Sequence, residues 1–265
     1  MRALHVETWG EAGAPRAVFL HGITGHGSHA RRLAEGWLAA SHHVLAPDLL
    51  GHGSSPYEPP WGIGAQLDAI LASIGRERAV WIGHSFGGRL AFELAAREPG
   101  LVERLVLLDP AIHIDPAIAL HVAESSRADR SYASFEEAID RRFEESALSF
   151  APRELLEDEL RDHLVPSEDG RWRYRYSQAS VVSSYSDMAG PPPPFEAVRL
   201  PTLLVLGDRS YLQYDHLLGA HRAALGDLLE VVVVESGHTL LWDALEATAT
   251  AVAAFLARAS ATSLG

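Results

Sequence analysis

A serine sits at the centre of Gly83-His84-Ser85-Phe86-Gly87, with Gly88 directly behind it. A serine hydroxyl is a weak nucleophile at neutral pH. It becomes reactive when a tight turn lifts it clear of its neighbours and an imidazole within hydrogen-bond reach takes its proton. Glycines two positions either side of Ser85 leave room for such a turn, and the glycine after it lets a helix start close by. Counting does not choose the imidazole among 14 histidines, but position does. His238 follows an apolar run in Ser236-Gly237-His238 and precedes a helical pattern. His84 lies inside the serine turn and reads as a shaping residue rather than a base. The chemistry these types offer is attack of Ser85 on an electrophilic carbon, with His238 as general base.

For the two residues to meet, the chain must bring the ends of several strands together. Short apolar runs supply the strands: Ala17–Leu20, Val44–Ala46, Ala79–Ile82, Leu105–Leu108, Leu203–Leu206 and Val231–Val234. Each is rich in Val, Ile or Leu and is stopped by a turn residue, the mark of strands buried on both faces of a parallel sheet. Helical patterns alternate with them over Ala30–Ala40, Ala65–Ile74, Gly87–Arg97 and Leu240–Leu256. The alternation defines an α/β protein with a mostly parallel sheet flanked by helices. Ala3–Trp9 alternates apolar and polar residues and predicts an antiparallel edge strand. In such sheets ligands bind at the carboxyl ends of the strands, where Ser85 and His238 both fall.

One region breaks the alternation. Residues 110–199 hold no strong strand run but carry charged helical patterns at Phe135–Ser146 and Arg153–His163, then Trp172-Arg173-Tyr174-Arg175-Tyr176, then four prolines at 191–194. The sequence predicts a mainly helical cap here, inserted in a core made of residues 1–109 and 200–265. A separate small domain is the alternative. Aromatic residues between Phe135 and Tyr185 either line an apolar pocket or pack the insertion's own core.

Composition removes other classes of function. The chain is 265 residues long with a formal net charge of -13, so nucleic acid and anionic membrane surfaces are poor partners. It has no cysteine, which excludes disulfides, thiolate metal sites and cysteine nucleophiles. No apolar run reaches the length of a membrane span, and the first residues lack a signal peptide's apolar stretch, which predicts a cytoplasmic protein. There is no G-x-G-x-x-G opening a first βαβ unit and no H-E-x-x-H, and His21, His26 and His29 read as a mobile polar loop rather than a zinc set. Neither cofactor nor metal is expected.

Taken together, His21-Gly22, Asp48-Leu49-Leu50-Gly51-His52-Gly53-Ser54, the glycine-framed serine turn and Gly237-His238 resemble the α/β-hydrolase fold superfamily over nearly the whole chain. The resemblance implies an eight-stranded sheet, a helical cap between the sixth and seventh strands, and a triad of serine, acid and histidine. It also implies an oxyanion hole, with one donor at the backbone N–H of Phe86 and the other at that of Ile23. The acid departs from the family's usual pattern. Many relatives place it three residues after the glycine that ends the seventh strand, a position held here by Ser210, which carries no charge. Asp109, at the end of the sixth strand, is the first candidate; Asp208 and Asp215 are the alternatives. Serine at position 85 argues against the dehalogenases and epoxide hydrolases of this fold, which use aspartate there. The expected activity is hydrolysis of a small-molecule carboxylic ester through an acyl-enzyme. Carbon–carbon bond or lactone hydrolysis with the same triad, and a non-catalytic ligand-binding role, stand as alternatives.

Overall fold

A computed structural model describes residues 3–126, 128–144, 150–212 and 214–258. Seven strands form the main sheet: β1 (Val6–Trp9), β2 (Arg16–Leu20), β3 (His43–Pro47), β4 (Ala79–His84), β5 (Val102–Leu108), β9 (Thr202–Gly207) and β10 (Leu229–Val234). Their spatial order is β1-β3-β2-β4-β5-β9-β10, and every pairing except β1 with β3 is parallel. The antiparallel edge strand is where the alternation at the start of the chain placed it. The expected eighth strand is not found among the described residues. The backbone ahead of β1 is engaged elsewhere: Leu4 and His5 donate their N–H groups to the hydroxyls of Ser73 and Ser55, so these residues do not extend into another strand.

The strands are apolar on both faces because each face meets its own core. Val18, Leu20, Trp81, Leu105 and Leu107 point into one cluster, with α2 (Ile63–Ile74), α3 (Phe86–Arg97) and α8 (Asp215–Leu225). The alternate residues Ala17, Phe19, Val80, Ile82, Val106 and Leu108 point into the other, with α1 (Arg31–Leu33) and α10 (Leu245–Ala257). The period of two along each strand divides the side chains between the faces. Two predicted helices are less regular than expected. The first runs as a 3-10 turn at Gly27–Ala30, α1, then a π turn at Ala34–Leu38. The last is broken at Ala244 into α9 (Leu240–Asp243) and α10.

Between β5 and β9 come α4 (Pro116–Ser125), α5 (Phe135–Glu144), α6 (Arg153–His163) and α7 (Gln178–Ala189). The last two residues of the predicted helix 135–146 lie outside the described residues. Beside these four helices lies a small antiparallel sheet that the sequence reading did not include: β6 (Ser131–Tyr132), β7 (Leu164–Pro166) and β8 (Trp172–Tyr174), in the order β6-β8-β7. The overlooked signal is Asp169-Gly170 between two short apolar runs. Gly170 takes φ 76° in the hairpin turn, and Ser167 N–H closes it on Arg171 O at 2.7 Å. Aromatic rings on β8 then prefer the pleated, half-buried surface of a strand. Phe135, Phe143 and Trp172 pack into this segment's own cluster with Ile139, Leu160 and Leu164.

Candidate active site

Ser85 stands at the junction of β4 and α3 with φ 53° and ψ -118°. Positive φ in a residue with a side chain costs on the order of 1–3 kcal/mol and persists only where the surroundings enforce it. Here they do. A Cβ on Gly83 would lie 2.3 Å from Gly87 O, and one on Gly87 would lie 2.1 Å from Leu20 O, so larger residues would force the turn apart. Ser85 N–H donates to Leu108 O at 3.2 Å and Ser85 O accepts from Ala111 N–H at 3.0 Å, which ties the bend to the end of β5.

That tie matters because β5 ends in Asp109. Asp109 is buried and also adopts positive φ, 41°, which turns its side chain across the sheet end. Its Oδ2 accepts from His238 Nδ1 at 2.6 Å and from Ser210 Oγ at 2.5 Å; its Oδ1 accepts from Gly207 N–H at 3.3 Å. Leu212 N–H donates to Ser210 Oγ at 3.1 Å, so the single hydroxyl hydrogen of Ser210 is left to point at Asp109. Ser210, at the position where the family's usual acid would fall, is therefore a donor to Asp109. The other two candidates do not reach the ring. Asp208 Oδ1 accepts from Ser236 N–H at 2.9 Å, and Asp215 is exposed at the start of α8. Sequence reasoning missed the part played by Ser210, although the spacing from Gly207 marked its position.

Asp109 occupies Nδ1 of His238, and His238 and Ser85 line the same cavity. Ser85 and His238 are not hydrogen-bonded to each other; such contacts are often long before substrate binds and tighten in the reacting complex. His84 Nε2 donates to His238 O at 2.9 Å and holds the backbone of the base, the shaping role read from its place in the turn.

His21-Gly22 lies against the serine: a Cβ on Gly22 would come within 2.9 Å of Ser85 Cβ. Gly22 O accepts from His21 Nδ1 at 2.8 Å and from Gly25 N–H at 3.1 Å. In a trans peptide C=O and N–H point in opposite directions, so these bonds also fix the direction of the Ile23 N–H. Neither the Ile23 nor the Phe86 N–H donates to any acceptor among the described residues.

His21, His26 and His29 do not form a mobile polar loop; all three are buried. Each ring has found a partner: His21 Nε2 accepts from Leu49 N–H at 3.0 Å, His26 stacks on His163 at 4.5 Å, and His29 meets Glu159. Burial first of all pushes His21, His84 and His163 well below the ordinary histidine range and brings His52 down to about 4. These rings stay neutral in the fold, while in the unfolded chain they take up protons near pH 6.5. The unfolded state therefore binds more protons as pH falls below 6.5, and stability drops by about 1.4 kcal/mol per pH unit for each such ring. The urea midpoint is expected to fall steeply between pH 7 and pH 5. A midpoint that stays flat across that window would contradict the neutral histidines.

Ser85, His238 and residues 22–25 line one cavity of 320 Å³ together with Tyr174, Tyr176, Tyr185 and Val181. A strand-to-helix serine, a histidine after the last strand and a parallel sheet in this order define the α/β-hydrolase class. A sequence model of the alpha/beta hydrolase fold matches residues 15–245, and the chain belongs to that family. It is 37% identical over 250 residues to Lipase LipV of Mycobacterium tuberculosis, covering 89% of this chain and 90% of that one. It is 29% identical to Esterase Rv0045c of the same organism, over 91% of this chain and 82% of that one. Among solved structures, E-2-(acetamidomethylene)succinate hydrolase superposes with a TM-score of 0.83 at 22% identity, over 97% of this chain and 98% of that one. No described helix is long and apolar enough to cross a membrane.

Proposed function

We propose that this protein is a serine hydrolase that cleaves a carboxylic ester through an acyl-enzyme, with Ser85 as nucleophile, His238 as general base and Asp109 as the acid. The carrying observation is the 2.6 Å bond between His238 Nδ1 and Asp109, made by a histidine that lines the same cavity as Ser85. Relatives named as a lipase and an esterase, similar over most of the chain, support ester chemistry. Ser85 Oγ attacks the carbonyl carbon while His238 Nε2 takes its proton. Asp109 keeps the ring in the Nδ1–H tautomer and stabilises the imidazolium. The carbonyl oxygen, now negative, is received by the N–H groups of Ile23 and Phe86, which are fixed in advance. His238 gives its proton to the leaving alcohol, and water repeats the sequence on the acyl-enzyme. Residues 110–199 act as a cap over the sheet end.

The cavity lies at the lower end of the size range for small-molecule sites, which favours short to medium acyl or alcohol groups. Among p-nitrophenyl esters from acetate to palmitate, kcat/KM is expected to peak at or below the octanoate. Highest turnover on palmitate would overturn the size limit. A fluorophosphonate probe should label the wild-type protein at Ser85 and fail on Ser85→Ala; an unlabelled wild type would remove the serine mechanism.

A further inference from the structure

The cap does more than cover the site. Glu159 and His163 lie four residues apart on α6 and so share one face of that helix. Both reach down to the segment of the core that contains Ile23. His163 Nε2 donates to Thr24 O at 2.8 Å. Glu159 accepts from the His29 ring and from the indole N–H of Trp242, so its two oxygens are committed to two core donors. His163 is buried, with the His26 ring stacked on it at 4.5 Å and an interplanar angle of 17°.

The piece they grip is strained. Thr24 has φ 62°, in the left-handed region that a β-branched residue avoids unless held there. Its N–H is directed at His52 Nε2 across 3.4 Å, a long contact. The short bond from His163 is thus the stronger polar restraint on Thr24, the residue next to the proposed oxyanion donor Ile23. Because His163 Nε2 faces a carbonyl oxygen, which can only accept, that nitrogen carries the proton.

We propose that His163 is a positioning residue of the cap: by holding Thr24 in its left-handed turn, it keeps the Ile23 N–H aimed at the oxyanion, so that transition-state stabilisation depends on the docked cap. The proposal rests on the ester-hydrolase reading above for its kinetic part only. Removing an oxyanion donor outright costs about 100- to 1,000-fold in kcat, and misaiming one costs less.

His163→Phe keeps the aromatic stack on His26 and deletes the donor; His163→Gln restores an N–H at a similar reach. With p-nitrophenyl butyrate, His163→Phe is expected to lower kcat by about 10- to 100-fold with KM changed less than about 3-fold. His163→Gln should recover to within about 3-fold of wild type. A trifluoromethyl ketone, whose adduct carries the oxyanion, should bind His163→Phe more weakly in proportion to the loss in kcat/KM. Backbone hydrogen exchange over residues 22–25 should be faster in His163→Phe than in wild type, whatever the activity. If His163→Phe does not accumulate folded, Glu159→Gln tests the same grip, because a carboxamide has one acceptor oxygen for two donors. Unchanged kcat and unchanged exchange in His163→Phe overturn the proposal, and so does a raised KM at constant kcat, which marks a substrate contact instead. If wild type cleaves no ester and the exchange difference persists, the clamp stands and the ester reading falls.

Discussion

Ser85→Ala is expected to lower kcat for an activated ester by about 10⁵- to 10⁶-fold, with His238→Ala close behind, and the double variant no worse than either. The near-identity of the three values is the informative part. Nucleophile and base act in one step, so once the hydroxyl is gone the imidazole has no proton to take, and once the imidazole is gone the hydroxyl stays a weak nucleophile. What survives is the contribution of the Ile23 and Phe86 donors and of substrate binding. Additive losses would show that the two side chains work separately, and the triad would have to be abandoned. The measurement is steady-state kinetics on purified variants, with circular dichroism to confirm the fold. Ser85 fills little of the core, so Ser85→Ala should also release the strained φ of 53° only in part and leave the melting temperature nearly unchanged.

The second large effect tests the acid. Asp109→Asn is expected to cost about 10⁴-fold in kcat, because an amide facing Nδ1 presents its own N–H and favours the wrong tautomer of His238. Asp208→Asn should stay within a few-fold of wild type: its Oδ1 serves the Ser236 N–H at 2.9 Å, and an asparagine oxygen can accept there equally well. A heavy loss at Asp208 with a mild one at Asp109 would transfer the role. The contrast is sharp because the two carboxylates sit at the ends of neighbouring strands, yet Asp109 is buried against the ring while Asp208 is exposed and bonded to the Ser236 N–H.

The fold was legible because strand and helix patterns alternate with little ambiguity. Six apolar runs became six parallel strands, and the period of two along them is the division of Phe19 from Leu20, or Ile82 from Trp81, between the two cores. That Ser85 and His238 fall at the same end of the sheet was legible for a related reason: both follow strand runs. Which carboxylate meets the His238 ring was harder to read. Choosing Asp109 over Asp208 requires knowing which way each strand end turns, and the positive φ of Asp109 that aims it at the histidine leaves no trace in composition or periodicity. The histidine cluster was misread because polarity alone suggested solvent, whereas each ring is buried against a neighbour distant in sequence, such as Glu159 for His29 and His163 for His26. The small sheet of the cap was missed because its strands are two or three residues long, below the length at which alternation can be distinguished from a helix turn.

Placing the carboxylate on β5 has an effect on the loop that follows β9. With Asp109 as the proposed acid, residues 208–212 need not present a charge to the histidine, and they hold the Ser210 hydroxyl on Asp109. Tyr211, at the tip of this loop, stands over the His238 ring with centroids 4.7 Å apart, and its side chain borders the cavity mouth. The rim of the cavity and the proposed proton relay thus share one short loop, with Tyr211 on the face of the His238 ring and Ser210 on Asp109. A substitution at Tyr211 is therefore expected to change both which substrates fit and the packing on the His238 ring.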